Sequence, residues 1–265
     1  MKKIIPLLFT LYLFTACNNP NKEEPENHAV PVTKEKELLN DVANYPDSAL
    51  LKETLIEYYR EKGDYDKALR ETMNAIKKDS SNSRWWEIKA IVHYENEDTV
   101  RAILSYEKAI AIFPNPKFIM ALGSMYAQVK NPKALQLANV LQQDKKIKAE
   151  KEALYIKGSY YSNIGEKQKA IAYFDSCLQL DYAYLIAYRE KGIALYDLGK
   201  YNAALDVLDK AVMLQNNFDE GYYWRGRCLE KLGKKQEAIN EYKTALVYNP
   251  DYIEVQEELE RLEVK

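Results

Sequence analysis

Helix breakers are scarce in this 265-residue chain, which has 9 glycines and 9 prolines. That scarcity favours helices packed side to side over a loop-rich or strand-rich body. The 3 cysteines form no CxxC pair and the 2 histidines, His28 and His93, stand at no metal-ligand spacing, so no metal site is expected. Cys177 and Cys228 lie nearly two repeat units apart, too far for a disulfide. A formal net charge of −2 supplies no basic face for nucleic acid. Neither a glycine-rich phosphate loop, nor GxSxG, nor HExxH occurs, and the carboxylates alternate with lysines as solvated helix faces do. The reading is of a protein without catalytic residues or cofactors.

What the chain has is tyrosine, 22 of them, a hydrophobic fraction of 47%, and a repeat. Glycines at 165, 199 and 233 stand 34 residues apart, and Gly63 falls three periods upstream. Each opens a similar segment, as in "GKYNAALDVLDKAVMLQ" and "GKKQEAINEYKTALVYN". Aligned on these glycines the units are 49–82, 83–116, 151–184, 185–218 and 219–252, with an irregular one at 117–150. Position 20 of the regular units is Ala68, Ala102, Ala170, Ala204 and Ala238, and position 27 is Ala75, Ala109, Cys177, Ala211 and Ala245. Between them, position 24 is Thr72, Tyr106, Phe174, Leu208 and Tyr242, so spacings of four and three put all three places on one helix face. A second face, earlier in the unit, runs through Leu154, Gly158 and Tyr161 and their counterparts. Small residues let two helices approach closely while larger ones fill the gaps around them. A helix pair of this kind cannot bury both faces alone, so the units must stack.

Period and residue types together resemble the tetratricopeptide repeat across residues 49–252. The resemblance implies an all-α fold, a right-handed α-solenoid of about six helix pairs. Residues 34–48 are expected to form a leading helix and 253–265, "YIEVQEELERLEVK" without its first tyrosine, a capping helix. In the third unit Gly123 comes one place early, Pro132 reads as part of a shortened turn, and a polar run "QQDKKIKAEKE" follows. Either the solenoid bends or loosens near residues 130–150, or a regular superhelix carries one altered turn.

In this family the first helix of each pair lines a concave groove, and positions 5, 9 and 12 form an i, i+4, i+7 stripe pointing into it. The stripe reads Glu53, Glu57 and Arg60 in the first unit and Glu87, Ile91 and Tyr94 in the second. It continues as Tyr155, Ser159 and Ser162, then Arg189, Ile193 and Tyr196, then Tyr223, Arg227 and Glu230. Tyr94, Tyr155, Ser159, Arg189, Ile193, Tyr196, Tyr223 and Arg227 are therefore the expected partner-binding residues, with Arg189 and Arg227 converging on one acidic segment. Tyrosine and arginine are enriched among residues that dominate binding energy. The lysine and asparagine of the family's clamp for chaperone carboxylates are absent, since those places hold Glu53 and Glu57, then Glu87 and Ile91.

The first residues carry a separate message. "MKK" precedes a 13-residue apolar run ending at Ala16, too short to span a bilayer as a helix. Leu13-Phe14-Thr15-Ala16-Cys17 resembles a bacterial lipobox, although Phe14 departs from the usual residue type; the alternative is an ordinary secretory signal with an incidental cysteine. The lipobox implies cleavage after residue 16 and lipid on Cys17, and removal of Lys2 and Lys3 leaves 36 basic against 40 acidic residues. Asn18 after the cysteine implies outer-membrane sorting, and Lys22-Glu23-Glu24 is similar to an export signal of surface lipoproteins in Bacteroidetes, set a few residues late. Residues 17–33 read as a flexible tether spanning on the order of 20 Å. The expected function is a lipid-anchored scaffold of the bacterial envelope that takes a protein or peptide segment in its groove, touching the membrane only through its lipid. The alternative is a binder of glycan or peptidoglycan.

Overall fold

The computed structural model describes residues 33–143 and 149–263. Among them are fourteen helices and no strand. A leading helix α1 (Lys34–Asn44) precedes six antiparallel pairs. These are α2/α3 (Ala49–Glu61, Tyr65–Lys78), α4/α5 (Ser83–Glu95, Thr99–Ile112) and α6/α7 (Pro116–Gln128, Lys133–Gln143). There follow α8/α9 (Glu150–Asn163, Lys167–Leu180), α10/α11 (Leu185–Asp197, Tyr201–Leu214) and α12/α13 (Asp219–Lys231, Lys235–Tyr248), closed by α14 (Ile253–Glu263). Each helix packs on its chain neighbours, so the chain is an α-solenoid.

Local chemistry sets the helix ends. Asp64, Asn82, Asp98 and Asn115 each accept a backbone N–H of the following helix's first turn, and Pro116 then occupies a place where its missing N–H costs nothing. Within four of the pairs the turn passes through a glycine at φ between 69° and 90°. In the second pair Glu97 takes the same left-handed conformation at φ 59°, with a side chain that disfavours it.

The packing rests on complementary volumes. Ala68, Ala102, Ala170, Ala204 and Ala238 are all at 0% exposure, so there the backbones of neighbouring helices nearly touch. A Cβ on Gly158 would lie 2.5 Å from the Phe174 ring, and one on Gly192 would lie 2.9 Å from Leu208. In the first pair the sizes are exchanged: Ile56 stands where the glycines stand, and Thr72 stands where Phe174 does. The buried Thr72 hydroxyl donates to the Ala68 carbonyl at 2.7 Å and so is satisfied. Trp85, not Trp86, is the tryptophan of the first core, at 4% exposure. At the far end Val255, Leu259 and Leu262 of α14 cover the last pair and leave glutamates outward.

The third pair departs from the pattern at its connections. Its helices are four residues apart (129–132) against three elsewhere. Yet the left-handed residue precedes the first buried alanine by four residues (Lys130 to Ala134) against five in the other pairs (Gly63 to Ala68), so in packing register the turn is shortened. The preceding connection, 113–115, is one residue shorter than the usual four. Helix α6 as a whole therefore sits one residue early, which is why Gly123 does, and the left-handed place falls to Lys130 at φ 58°. On α7 the buried places are Ala134, Ala138 and Leu141, with the large residue now third instead of second. Ala138 is too small to fill the notch over Gly123, and Ile156 of α8 does so instead: a Cβ on Gly123 would meet its Cδ1 at 2.8 Å. By α8 the period is restored, with Gly158 again at the eighth place of its unit. The short connection and the shortened turn thus add, setting the buried face of α7 two residues early; the expected loosening falls partly on 144–148, outside the described residues.

Candidate functional site

The first helices line one face of the solenoid, and its character changes along the array. At the N-terminal end charges are paired into a ladder. Arg84 of α4 donates to Glu53 of α2 at 2.8 Å and to Glu87 of its own helix at 2.7 Å. Arg60 does the same between Glu57 and Glu95, its Nε reaching Glu95 at 2.8 Å. Two arginines thus pair all four of these glutamates and leave the ladder with a net charge of −2.

Further along, a concave cleft of about 490 Å³ runs from α4 to α10. Tyr94 and Tyr106 form one wall, and Ser124, Met125 and Gln128 of α6 form the floor. Tyr155, Ser159 and Asn163 of α8 form the other side, with Arg189 and Glu190 at the end. The stripes follow from helix geometry, since 155, 159 and 163 are successive i+4 neighbours and 121, 124, 125 and 128 share one face of α6. Burial pushes the Tyr106 and Tyr155 phenols up to about 12, so both keep their O–H donors at any neutral pH. The cleft thus offers aromatic area, hydroxyls and amides, with charge only at one end.

Of the residues expected from the sequence, Tyr94, Tyr155, Ser159 and Arg189 meet in this cleft. Tyr196 and Arg227 lie in a separate, smaller cleft of about 310 Å³ with Glu230, Glu258 and Arg261. Tyr223 is buried at 8% exposure among the rings of Trp224, Tyr242 and Tyr252, and Ile193 is half-buried on α10. The two arginines do not converge. Arg189 is clamped by Glu190 at 2.9 Å and Glu220 at 2.5 Å, which ties α10 to α12. Arg227 donates to the Tyr223 hydroxyl at 2.7 Å and packs 5.7 Å from the centroids of Tyr196, Tyr223 and Trp224, with Glu258 3.6 Å away. Ser162 turns inward and accepts from Lys167 at 3.2 Å, leaving the cleft to Asn163. Cys17 lies outside the described residues.

Sequence reasoning missed Tyr106, Ser124, Gln128, Asn163 and Glu190. The α6 residues were hidden by its one-residue offset, and the i+4 step from Ser159 was the available signal for Asn163. Burial pushes the Cys177 and Cys228 thiols up to about 12, so neither is a nucleophile. Among the described residues no group of three or more His, Cys, Asp or Glu is placed to hold a metal ion, and no helix is long and apolar enough to cross a membrane.

Comparison with known proteins agrees with the repeat. Family models described as "Tetratricopeptide repeat" match residues 53–115, 151–184 and 219–252, and one described as "TPR repeat" matches 192–233. Together they span more than half of the chain. Stress-induced-phosphoprotein 1 of Caenorhabditis elegans is 22% identical over 234 residues, covering 75% of this chain and 72% of that protein. Among solved structures, a tetratricopeptide repeat protein from Parabacteroides merdae superposes with a TM-score of 0.73 at 19% identity, covering 87% of this chain and 91% of that one. PilW, described as a widely conserved type IV pilus biogenesis factor, gives a TM-score of 0.61 at 19% identity, covering 79% of this chain and 97% of that one. At these identities the likeness is one of fold.

Proposed function

The chain belongs to the tetratricopeptide repeat family, and from that membership we propose a scaffold that holds a protein or peptide segment in the cleft between α4 and α10. One observation carries this reading: four helix pairs contribute to a single open cleft rich in tyrosine, hydroxyl and amide groups. Such a lining suits an extended backbone, whose N–H and C=O groups need partners along their whole length. A pyranose would instead need open ring faces. The Tyr155 ring already packs against Phe174 and Tyr184, at 6.2 and 5.8 Å, which favours a peptide over a glycan. Because the charges along the groove are largely paired internally, the partner segment is mostly uncharged and its binding only weakly salt-dependent.

Blocking the cleft tests the proposal. Ser124→Arg with Asn163→Arg sets two long side chains into it, while Lys210→Glu with Lys243→Glu alters exposed positions on α11 and α13. In pull-downs from envelope extract read by mass spectrometry, the cleft variant should lose its partners by about tenfold or more, and the control should keep them. Partners retained by a cleft variant that melts like the wild type would put the binding surface elsewhere.

The anchoring half of the proposal rests on the first 17 residues. We place the protein at the outer membrane of a Gram-negative bacterium, held by lipid on Cys17. Cys17→Ser should abolish lipid labelling and release the chain from the membrane fraction. Unchanged labelling would refute the lipobox.

A further inference from the structure

A second cavity, of about 440 Å³, opens between α4 and α5 and shares no residue with the concave cleft. Lys89, on its rim, is about 200° around α4 from the groove residue Glu87, so the cavity faces away from the groove. Its walls join two chemistries. Trp86 and Leu104 are apolar, and Leu104 is 56% exposed. Lys89, Arg101 and Lys108 are cationic.

The local charges do not cancel. Among the described residues neither Lys89 nor Lys108 has a carboxylate at salt-bridge distance; Lys89 lies 5.3 Å over the Trp86 ring instead. Arg101 uses one nitrogen on Asp98 at 2.9 Å, and its side chain stays 71% exposed, so the rest of its fork is open. Glu107 also lines the cavity, but its carboxylate is engaged by the Tyr126 hydroxyl and by Lys133 at 3.1 Å, which leaves the cavity's cations in excess. His93 lines the cavity at 5% exposure, and its Nδ1 is buried with no hydrogen-bond partner. A buried nitrogen left without a partner costs stability, which a bound polar group or an ordered water removes.

We propose that this cavity binds a small carboxylate with an apolar body, the body against Trp86 and Leu104 and the carboxylate between Lys89, Lys108 and Arg101. The site is independent of the groove and of any partner held there. A neutral molecule would leave the cations unmatched, and a bare anion would leave the indole and leucine wall wet.

The test uses 3-phenylpropionate, its neutral amide and inorganic phosphate, read by the Trp86 indole N–H resonance, whose donor lies 3.0 Å from the Ser80 carbonyl oxygen. Phenylpropionate should shift that resonance saturably and leave the Trp224 indole unmoved. Lys89→Ala with Lys108→Ala, the first half-buried and the second exposed, should weaken it by about tenfold or more in a protein that melts like the wild type. The amide and phosphate should each bind at least about tenfold more weakly. An unsaturable or absent shift overturns the proposal, as does equal affinity for the amide, for phosphate, or in the double variant.

Discussion

Gly158→Leu is expected to lower the unfolding free energy by about 3 kcal/mol, which for a protein of this size lowers the melting temperature by roughly 6–12 °C. The expectation runs against helix propensity, since glycine in a helix interior is worse than most residues by about 0.5–1 kcal/mol. Space reverses the sign. The first added carbon would already lie 2.5 Å from the ring of Phe174, a side chain at 0% exposure with nowhere to retreat. The first pair shows what would relieve the clash, because Ile56 is accommodated there by the small Thr72. Gly158→Leu combined with Phe174→Ala should therefore be more stable than the sum of the two single changes, by about 1 kcal/mol or more. Urea unfolding of the four proteins of this cycle measures it. Strict additivity would mean that the two positions do not share one space.

Arg189→Glu should cost about 2 kcal/mol of stability before any partner is considered. The arginine side chain is 22% exposed and bridges Glu190 and Glu220, so reversal gathers three carboxylates at the junction of α10 and α12. Breaking a fully buried pair costs about 3–5 kcal/mol, and partial solvent access reduces that here. Exchanging the charges, Arg189→Glu with Glu220→Arg, should recover about half of the loss, since Glu190 remains and would oppose the new glutamate while favouring the new arginine. No recovery in thermal unfolding would mean that Arg189 acts through packing of its stem alone. The outcome also decides how a binding assay is read, because a variant that loosens two repeats is no probe of a groove.

The helical pairs were legible because alanine at 68, 102, 170, 204 and 238 recurs with the glycine turns, and both patterns arise from contacts inside one repeat. The groove was legible only where those contacts hold their phase. Tyr94, Tyr155, Ser159 and Arg189 follow from regular positions, whereas Ser124 and Gln128 belong to a helix displaced by one residue. That displacement is fixed by the lengths of two turns, which leave no hydrophobic period to read. Charge pairing was opaque for a different reason. One partner of each arginine, Glu220 for Arg189 and Glu53 for Arg84, stands 31 residues away on a neighbouring helix rather than at a helical step, so a one-dimensional pattern shows an acidic and a basic residue without showing that they meet.

Ile156 reaching back into the notch over Gly123 bears on the order in which the molecule is made. A chain that emerges N-terminus first, from a ribosome or from a translocation channel, delivers α6 and α7 before α8, so the third pair emerges with an open cleft in its own core. It cannot close by itself, as the pairs with Phe174 or Leu208 can. The nascent N-terminal half must then wait, partly packed, for about a dozen residues beyond the end of α7. That interval is when Phe118, Leu122 and Met125 are accessible to a chaperone or to a neighbouring nascent chain.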